Sequence, residues 1–282
     1  MASSDPTPQT PAGITFYDIG HRPPVEASCS APNPWKARLA LNFKALPYTT
    51  TWVRMPDIGA VRKALGAPAT RQFADGSDFP TLPVLVDGAT STTVGDSFDI
   101  ALYLQRTYPT SGGGDLFPPQ TLDYSYTPPW AFPAPLSERA DGGFPEYLRF
   151  NISVDAAFST HTPLMVQGLP FDPATEEETR REFVRRAGLA SWDDFRLEGE
   201  ARGKVLASFE EMLGGLGGLF GRVGPGPFLM GEKPSYADFI VGGWLRMAVV
   251  TLPAEEWEMV RTCHGGTFGR LHDALEVYAE VK

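Results

Sequence analysis

The string Thr81-Leu82-Pro83-Val84-Leu85 puts a proline at the entry of an apolar run, where it cannot donate to a sheet ladder. X-Pro bonds are also where cis peptides occur. A cis bond at Leu82-Pro83 would turn the Leu82 N–H and C=O outward, to pair antiparallel with an extended peptide ligand. Gly95-Asp96-Ser97 follows shortly after, and Asp96-Ser97 reads as the cap that satisfies the free N–H groups of a helix. A third group, Cys29, Ser30 and Asn33, sets a thiol, a hydroxyl and an amide just ahead of a helical pattern, a setting that stabilises a thiolate.

The elements that must position these groups can be read from periodicity. Ile14 to Ile19 is rich in β-formers and reads as a strand. From Pro34, with proline at the first helical position, Trp35, Leu39, Asn42 or Phe43 and Leu46 recur at helical spacing. Tyr48 to Val53 is a second strand, Asp57 to Leu65 a short helix, and Leu82 to Asp87 a third strand closed by the Asp87-Gly88 turn. Thr92 to Val94 returns as a fourth, and a helix runs from Asp96-Ser97 to about Tyr108. This order in residues 14–108 predicts a small α/β domain; it is the thioredoxin-like arrangement, and order alone suits other small α/β domains too.

Residues 109–143 contain seven prolines and five glycines, which predicts a linker or irregular insertion. Its Tyr124, Tyr126, Trp130 and Phe132 could line a pocket for a planar ligand or simply pack. Residues 144–282 show only helical patterns: Phe144 to Pro163, Glu176 to Ala190, Glu198 to Phe220, Tyr236 to Thr251 and Thr267 to Val281. A second, all-α domain is expected. Ser235-Tyr236-Ala237-Asp238 reads as a capping box that opens one of its helices.

Composition narrows the function. A length of 282 residues favours two domains, and a formal charge of −10 (24 Lys and Arg against 34 Asp and Glu) gives no footprint for nucleic acid or anionic lipid. Small molecules are the expected partners. The two cysteines, Cys29 and Cys263, and the four histidines, His21, His161, His264 and His272, show no metal-ligand spacing, so no metal is expected. Unpaired cysteines suit a reducing, cytoplasmic compartment. Residues 1–13 lack an apolar run and read as a flexible leader, and no stretch is long enough for a membrane helix. Phosphate-loop motifs are missing, which sets nucleotide-dependent classes aside.

Taken together, the Leu-Pro strand entry and the Asp-Ser helix start resemble those of the cytosolic glutathione transferases. Ala31-Pro32-Asn33-Pro34-Trp35-Lys36 resembles the helix-one entry of the fungal etherase-related group, the fungal-specific A class. Trp192-Asp193-Asp194 and Leu197-Glu198-Gly199-Glu200-Ala201 are similar to that group too. The resemblance implies glutathione as co-substrate, an aromatic or hydrophobic acceptor such as a lignin-derived compound, β-aryl ether cleavage, and a homodimer. It implies binding of glutathione by Leu82, Pro83, Asp96 and Ser97, with Asp96 on the γ-glutamyl ammonium and Ser97 with the helix N-terminus on its carboxylate.

Ala31 stands where that group has serine. Ser30, Asn33 and the helix N–H groups are therefore the candidates to stabilise the glutathione thiolate, whose ordinary pKa is about 8.5. Tyr17 on the first strand is a further alternative. Cys29 would instead make a thiol transferase working through a mixed disulfide. A carrier of aromatic ligands with little turnover is a reading from another class.

Overall fold

The structure, a computed structural model, describes residues 13–134 and 143–282. All of the expected leader but Gly13 lies outside the described residues, as does the 135–142 part of the expected linker.

In chain order the sheet domain comprises β1 (Ile14–Ile19), α1 (Val25–Ser28), α2 (Pro32–Phe43), β2 (Tyr48–Val53), α3 (Ile58–Ala64), β3 (Arg71–Gln72), β4 (Asp78–Phe79), β5 (Val84–Asp87), β6 (Thr92–Gly95) and α4 (Ser97–Thr107). The main sheet has the order β2-β1-β5-β6, with β1 parallel to β2 and antiparallel to β5. Side chains alternate across a strand. Phe16 and Leu85 accordingly face a large core with α2 and α4, while Val53 and Val84 face a second cluster with Ile58 of α3. Helices cover both faces, as the thioredoxin-like expectation requires. The short α1 and the β3–β4 hairpin were not expected from periodicity, because four- and two-residue elements of mixed polarity show none.

The helical domain comprises α5 (Pro145–His161), α6 (Pro163–Val166), α7 (Glu176–Ala187), α8 (Gly199–Gly217), α9 (Tyr236–Thr251) and α10 (Ala254–Leu275). The capping box at α9 is present: the Ser235 N–H donates to Asp238 Oδ2 at 2.8 Å. The expected last helix, Thr267 to Val281, is the second half of a longer one. α10 starts at Ala254, breaks at Cys263–Gly266, where His264, Gly265 and Gly266 have positive φ, and ends at Leu275. No helix among the described residues is long and apolar enough to cross a membrane.

α9 lies tightly against α2, because Gly243 has no side chain. A Cβ there would come within 2.5 Å of the Pro32 carbonyl oxygen. The described part of the Pro- and Gly-rich stretch is no loose tether. Leu116 and Phe117 are buried, and Phe117 stacks on Phe144 at 4.5 Å while meeting Phe98, Tyr147 and Tyr236 edge-on or tilted. Burial of apolar side chains thus draws the segment into the joint core of the two domains.

Candidate active site

Between the domains runs a cleft with a narrow part of about 90 Å³ and a wide part of about 530 Å³. The two parts share the wall residues Asn33, Arg71, Thr81, Leu82, Ser159 and Trp244. The narrow part is polar, with Asp96, Ser97, Asn151 and Asp155. The wide part is mostly apolar, with Met55, Trp130, Phe132, Phe183, Phe195 and Met247. Of the four aromatic linker residues, Trp130 and Phe132 line this wall, while Tyr124 packs on Phe150 and Tyr126 on His161.

At the narrow end, Leu82-Pro83 is cis, as expected from the sequence. Strand pairing in β5 begins at Val84, and neither the Leu82 N–H nor its C=O has a backbone partner among the described residues. Asp96 caps α4 by accepting from the Phe98 N–H at 2.9 Å, at φ 109° and ψ 138°, backbone that an L-residue rarely adopts. The turn is held from behind by buried Arg62, which donates to the Thr81 carbonyl at 2.6 Å and to that of Pro68. A Cβ on Gly95 would sit 2.6 Å from the Arg62 guanidinium, so a side chain there would have to push that group aside. Ser97 is buried and lines the narrow part, beside the fully buried Tyr236 phenol, whose oxygen finds no well-formed hydrogen bond.

The α2 entry differs from expectation in two ways. The helix begins at Pro32, not Pro34, so two of its first three residues are prolines without N–H groups. The Trp35 N–H is already bonded to the Ala31 carbonyl at 3.2 Å. Asn33 alone keeps a free amide in that turn, and its side-chain Oδ1 is buried without a partner. Asn33 also borders both parts of the cleft. Ser30 has no exposed surface, and its hydroxyl lies 3.4 Å from His21 Nε2. Ser30 nevertheless borders the wide part of the cleft, between His21 and Ala31.

Cys29 lines neither part of the cleft; its Sγ donates to the Glu26 carbonyl at 3.4 Å. Burial, reinforced by the Asp18 carboxylate, pushes its thiol up to about 12. Tyr17 packs on the second cluster and lines neither part of the cleft.

Periodicity and motifs missed several cleft residues. His21 is buried on the wide wall, and burial pushes its imidazole down to about 4, so the ring is neutral. Arg71 of β3 brings a cation to the junction. It donates to the Ala134 carbonyl, and the Asp155 and Asp96 charges offset the burial that lowers its pKa. From the helical domain, Asp155 accepts from Lys36, from Trp244 Nε1 at 2.7 Å and from Asn151 at 3.3 Å. Only the four-residue spacing of Asn151, Asp155 and Ser159, a polar stripe on a largely apolar helix, signals this face in the sequence.

Chains of known structure share this two-domain build. A glutathione S-transferase of Ceriporiopsis subvermispora, CsGST63524, solved in complex with glutathione, is 30% identical, with a TM-score of 0.77 over 96% of this chain and 99% of that one. Glutathione transferase GSTFuA2 of Phanerochaete chrysosporium is 29% identical, with a TM-score of 0.76 over 96% and 99%. The glutathione S-transferase-like protein ustS of Aspergillus flavus is 29% identical over 275 residues, 95% of this chain and 91% of its own. Residues 31–107 match the glutathione S-transferase N-terminal domain and residues 156–278 its C-terminal domain. The Leu-Pro turn and the Asp-Ser cap lie in the first matched segment, Ser159, Trp244 and much of the wide wall lie in the second, and the chain belongs to the glutathione S-transferase family.

Proposed function

We propose that the protein is a glutathione transferase that binds glutathione in the narrow part of the cleft and an apolar aromatic acceptor in the wide part. The observation that carries this reading is the continuity of the two parts, polar at one end and apolar at the other, with Asn33 and Leu82 at the join. Residues 14–108 form the glutathione-binding domain, 109–143 a linker, and 144–282 the acceptor-binding domain. The protein works as a cytoplasmic homodimer, as the family resemblance implies.

The free Leu82 backbone groups pair with the peptide, following the Leu82-Pro83 entry. Ser97 and the α4 N-terminus hold the γ-glutamyl carboxylate, and Asp96 faces its ammonium. Arg71 adds a cation to balance the acidic wall. The Asn33 amide, at the α2 N-terminus, stabilises the thiolate and so raises its fraction at neutral pH. Ser30, whose hydroxyl lies 3.4 Å from His21 Nε2, positions that ring on the wide wall. The sulfur then attacks the acceptor carbon, a carbon–sulfur bond forms, and the leaving group departs with the bonding pair. Holding the two at attack distance supplies several of the kcal/mol needed, on the order of 7 to 11 at best.

The acceptor proposed is a β-aryl ether bearing an α-keto group, which makes the β-carbon electrophilic and the phenolate a fair leaving group. Incubation with such a compound should release the phenol and give glutathione thioether at the β-carbon, both read by mass spectrometry. A second reading, a carrier of aromatic ligands, is favoured by Ala31, which supplies no hydroxyl at the α2 entry. Tight aromatic binding with no thioether or phenol above the uncatalysed control would establish the carrier.

A further inference from the structure

One face of the helical domain follows the cleft from end to end. Asn151 and Asp155 line its narrow part, Ser159 borders both parts, and Thr162, Pro163 and Val166 line the wide part. The four-residue spacing puts Asn151, Asp155 and Ser159 on one side of α5. The first two are already engaged with Lys36, with Trp244 and with each other. Ser159 is different. It is half-buried, and its hydroxyl has no hydrogen-bond partner among the described residues. Its neighbour Thr160 turns back to the Ala156 carbonyl at 2.9 Å, and Thr162 turns back to the Ser159 carbonyl at 2.8 Å. The Ser159 hydroxyl has kept its capacity for something in the cleft.

We infer that Ser159 is a catalytic residue that donates a hydrogen bond to the glutathione sulfur from the helical domain, opposite Asn33. This assignment rests on the transferase reading above. Four residues of α5 advance about 6 Å, and an extended chain spans about 3.3 to 3.6 Å per residue. A peptide with its γ-glutamyl end at Asp96, Ser97 and Asp155 therefore brings its cysteinyl residue level with Ser159. At that level the α2 entry offers no hydroxyl with exposed surface, since position 31 is alanine and the Ser30 hydroxyl lies against His21 Nε2 at 3.4 Å. In the step itself the thiol proton passes to bulk water, the S–H electron pair stays on sulfur, and the Ser159 O–H remains intact as a donor to the thiolate.

The charged and titratable groups facing this point are Arg71, Asp96, Asp99 and Asp155 in the narrow part and His21, Arg186 and Asp194 in the wide part. None is altered in the test. The ultraviolet absorbance of the bound thiolate is titrated against pH in the wild type, Ser159→Ala and Ser159→Thr. Affinity for S-methylglutathione, which has no ionisable thiol, is measured beside it by calorimetry. Ser159→Ala should cut the thiolate fraction at neutral pH about tenfold, as expected for one hydrogen bond lost to a charged group. S-methylglutathione affinity should stay within about twofold, and threonine should restore the titration. A Ser159→Ala titration that superimposes on that of the wild type, with ligand affinity intact, would overturn the assignment alone. Failure of the wild type to bind S-methylglutathione would instead remove the transferase reading, and this assignment with it.

Discussion

Lys36 of α2 and Asp155 of α5 form an ion pair in which the ammonium is fully buried, tying the helix that opens at the cleft to the opposite domain. A buried pair is weak evidence for stability, but removing one partner strands the other charge. Asp155→Ala should therefore cost about 3 to 5 kcal/mol, leaving Lys36 with Asn151 as its acceptor. Replacing both with apolar residues of similar volume should recover part of the loss. Urea denaturation of the single and double variants checks this; an unchanged midpoint for Asp155→Ala would mean that the pair contributes nothing.

Ser97→Ala should weaken glutathione binding by about 1.5 to 3 kcal/mol, the scale of a hydrogen bond to a charged group. The helix cap should survive, because the Asp96 carboxylate makes the cap bond to the Phe98 N–H and Ser97 does not. Calorimetry with glutathione, beside a thermal melt, separates the effects. Loss of melting temperature without loss of affinity would make Ser97 structural.

Cys29→Ser should retain most activity toward aryl acceptors. The thiol is buried and pushed up to about 12, so at neutral pH almost none is thiolate. Mass spectrometry of wild-type protein incubated with glutathione disulfide should find no adduct at Cys29. A mixed disulfide there, with turnover abolished in the variant, would restore the thiol transferase reading.

His21 gives the protein an acid-sensitive element. Burial lowers its pKa from the ordinary 6.5 to about 4, so between those values the unfolded chain binds the proton and the folded chain does not. The stability it carries is complete above pH 6.5 and is lost as pH falls through about 4, up to about 3 kcal/mol. His21→Gln should flatten this loss. Asp238, held up to about 6 by burial, acts in the opposite sense over an overlapping range. The measure is therefore the wild-type-to-variant difference in denaturation free energy at each pH. A difference that does not change between pH 7 and 4 would show that His21 titrates in the fold as it does in the unfolded chain.

The strands and longer helices were legible because burial imposes period 2 or 3.6 on residues that pack locally, as in Tyr48–Val53 and Tyr236–Thr251. Most boundaries moved by no more than three residues, but the last helix ends at Leu275, six residues before the expected Val281. The break in α10 carried a sign, Gly265-Gly266, but the helix before it, Ala254 to Thr262, is dominated by charged and polar side chains with little apolar stripe.

At the cleft, local chemistry was readable and company was not. The cis bond at Leu82-Pro83, the Asp96 cap and the Ser235–Asp238 box each depend on residues a few positions apart, so their strings announce them. Nothing near Ser30 in the chain says that its hydroxyl lies against His21, and nothing near Asn33 says that two prolines leave it the one free amide of its turn once the helix starts at Pro32. Arg71, His21 and Ser159 come from a two-residue strand, a loop and the far domain. They meet at the cleft because packing, including the contact that Gly243 permits between α9 and α2, sets the distance between domains. The sequence by itself determined the longer elements and the caps written in a few adjacent residues; only the tertiary structure decided the short elements and which side chains share the cleft, because that depends on long-range burial and not on neighbours in the chain.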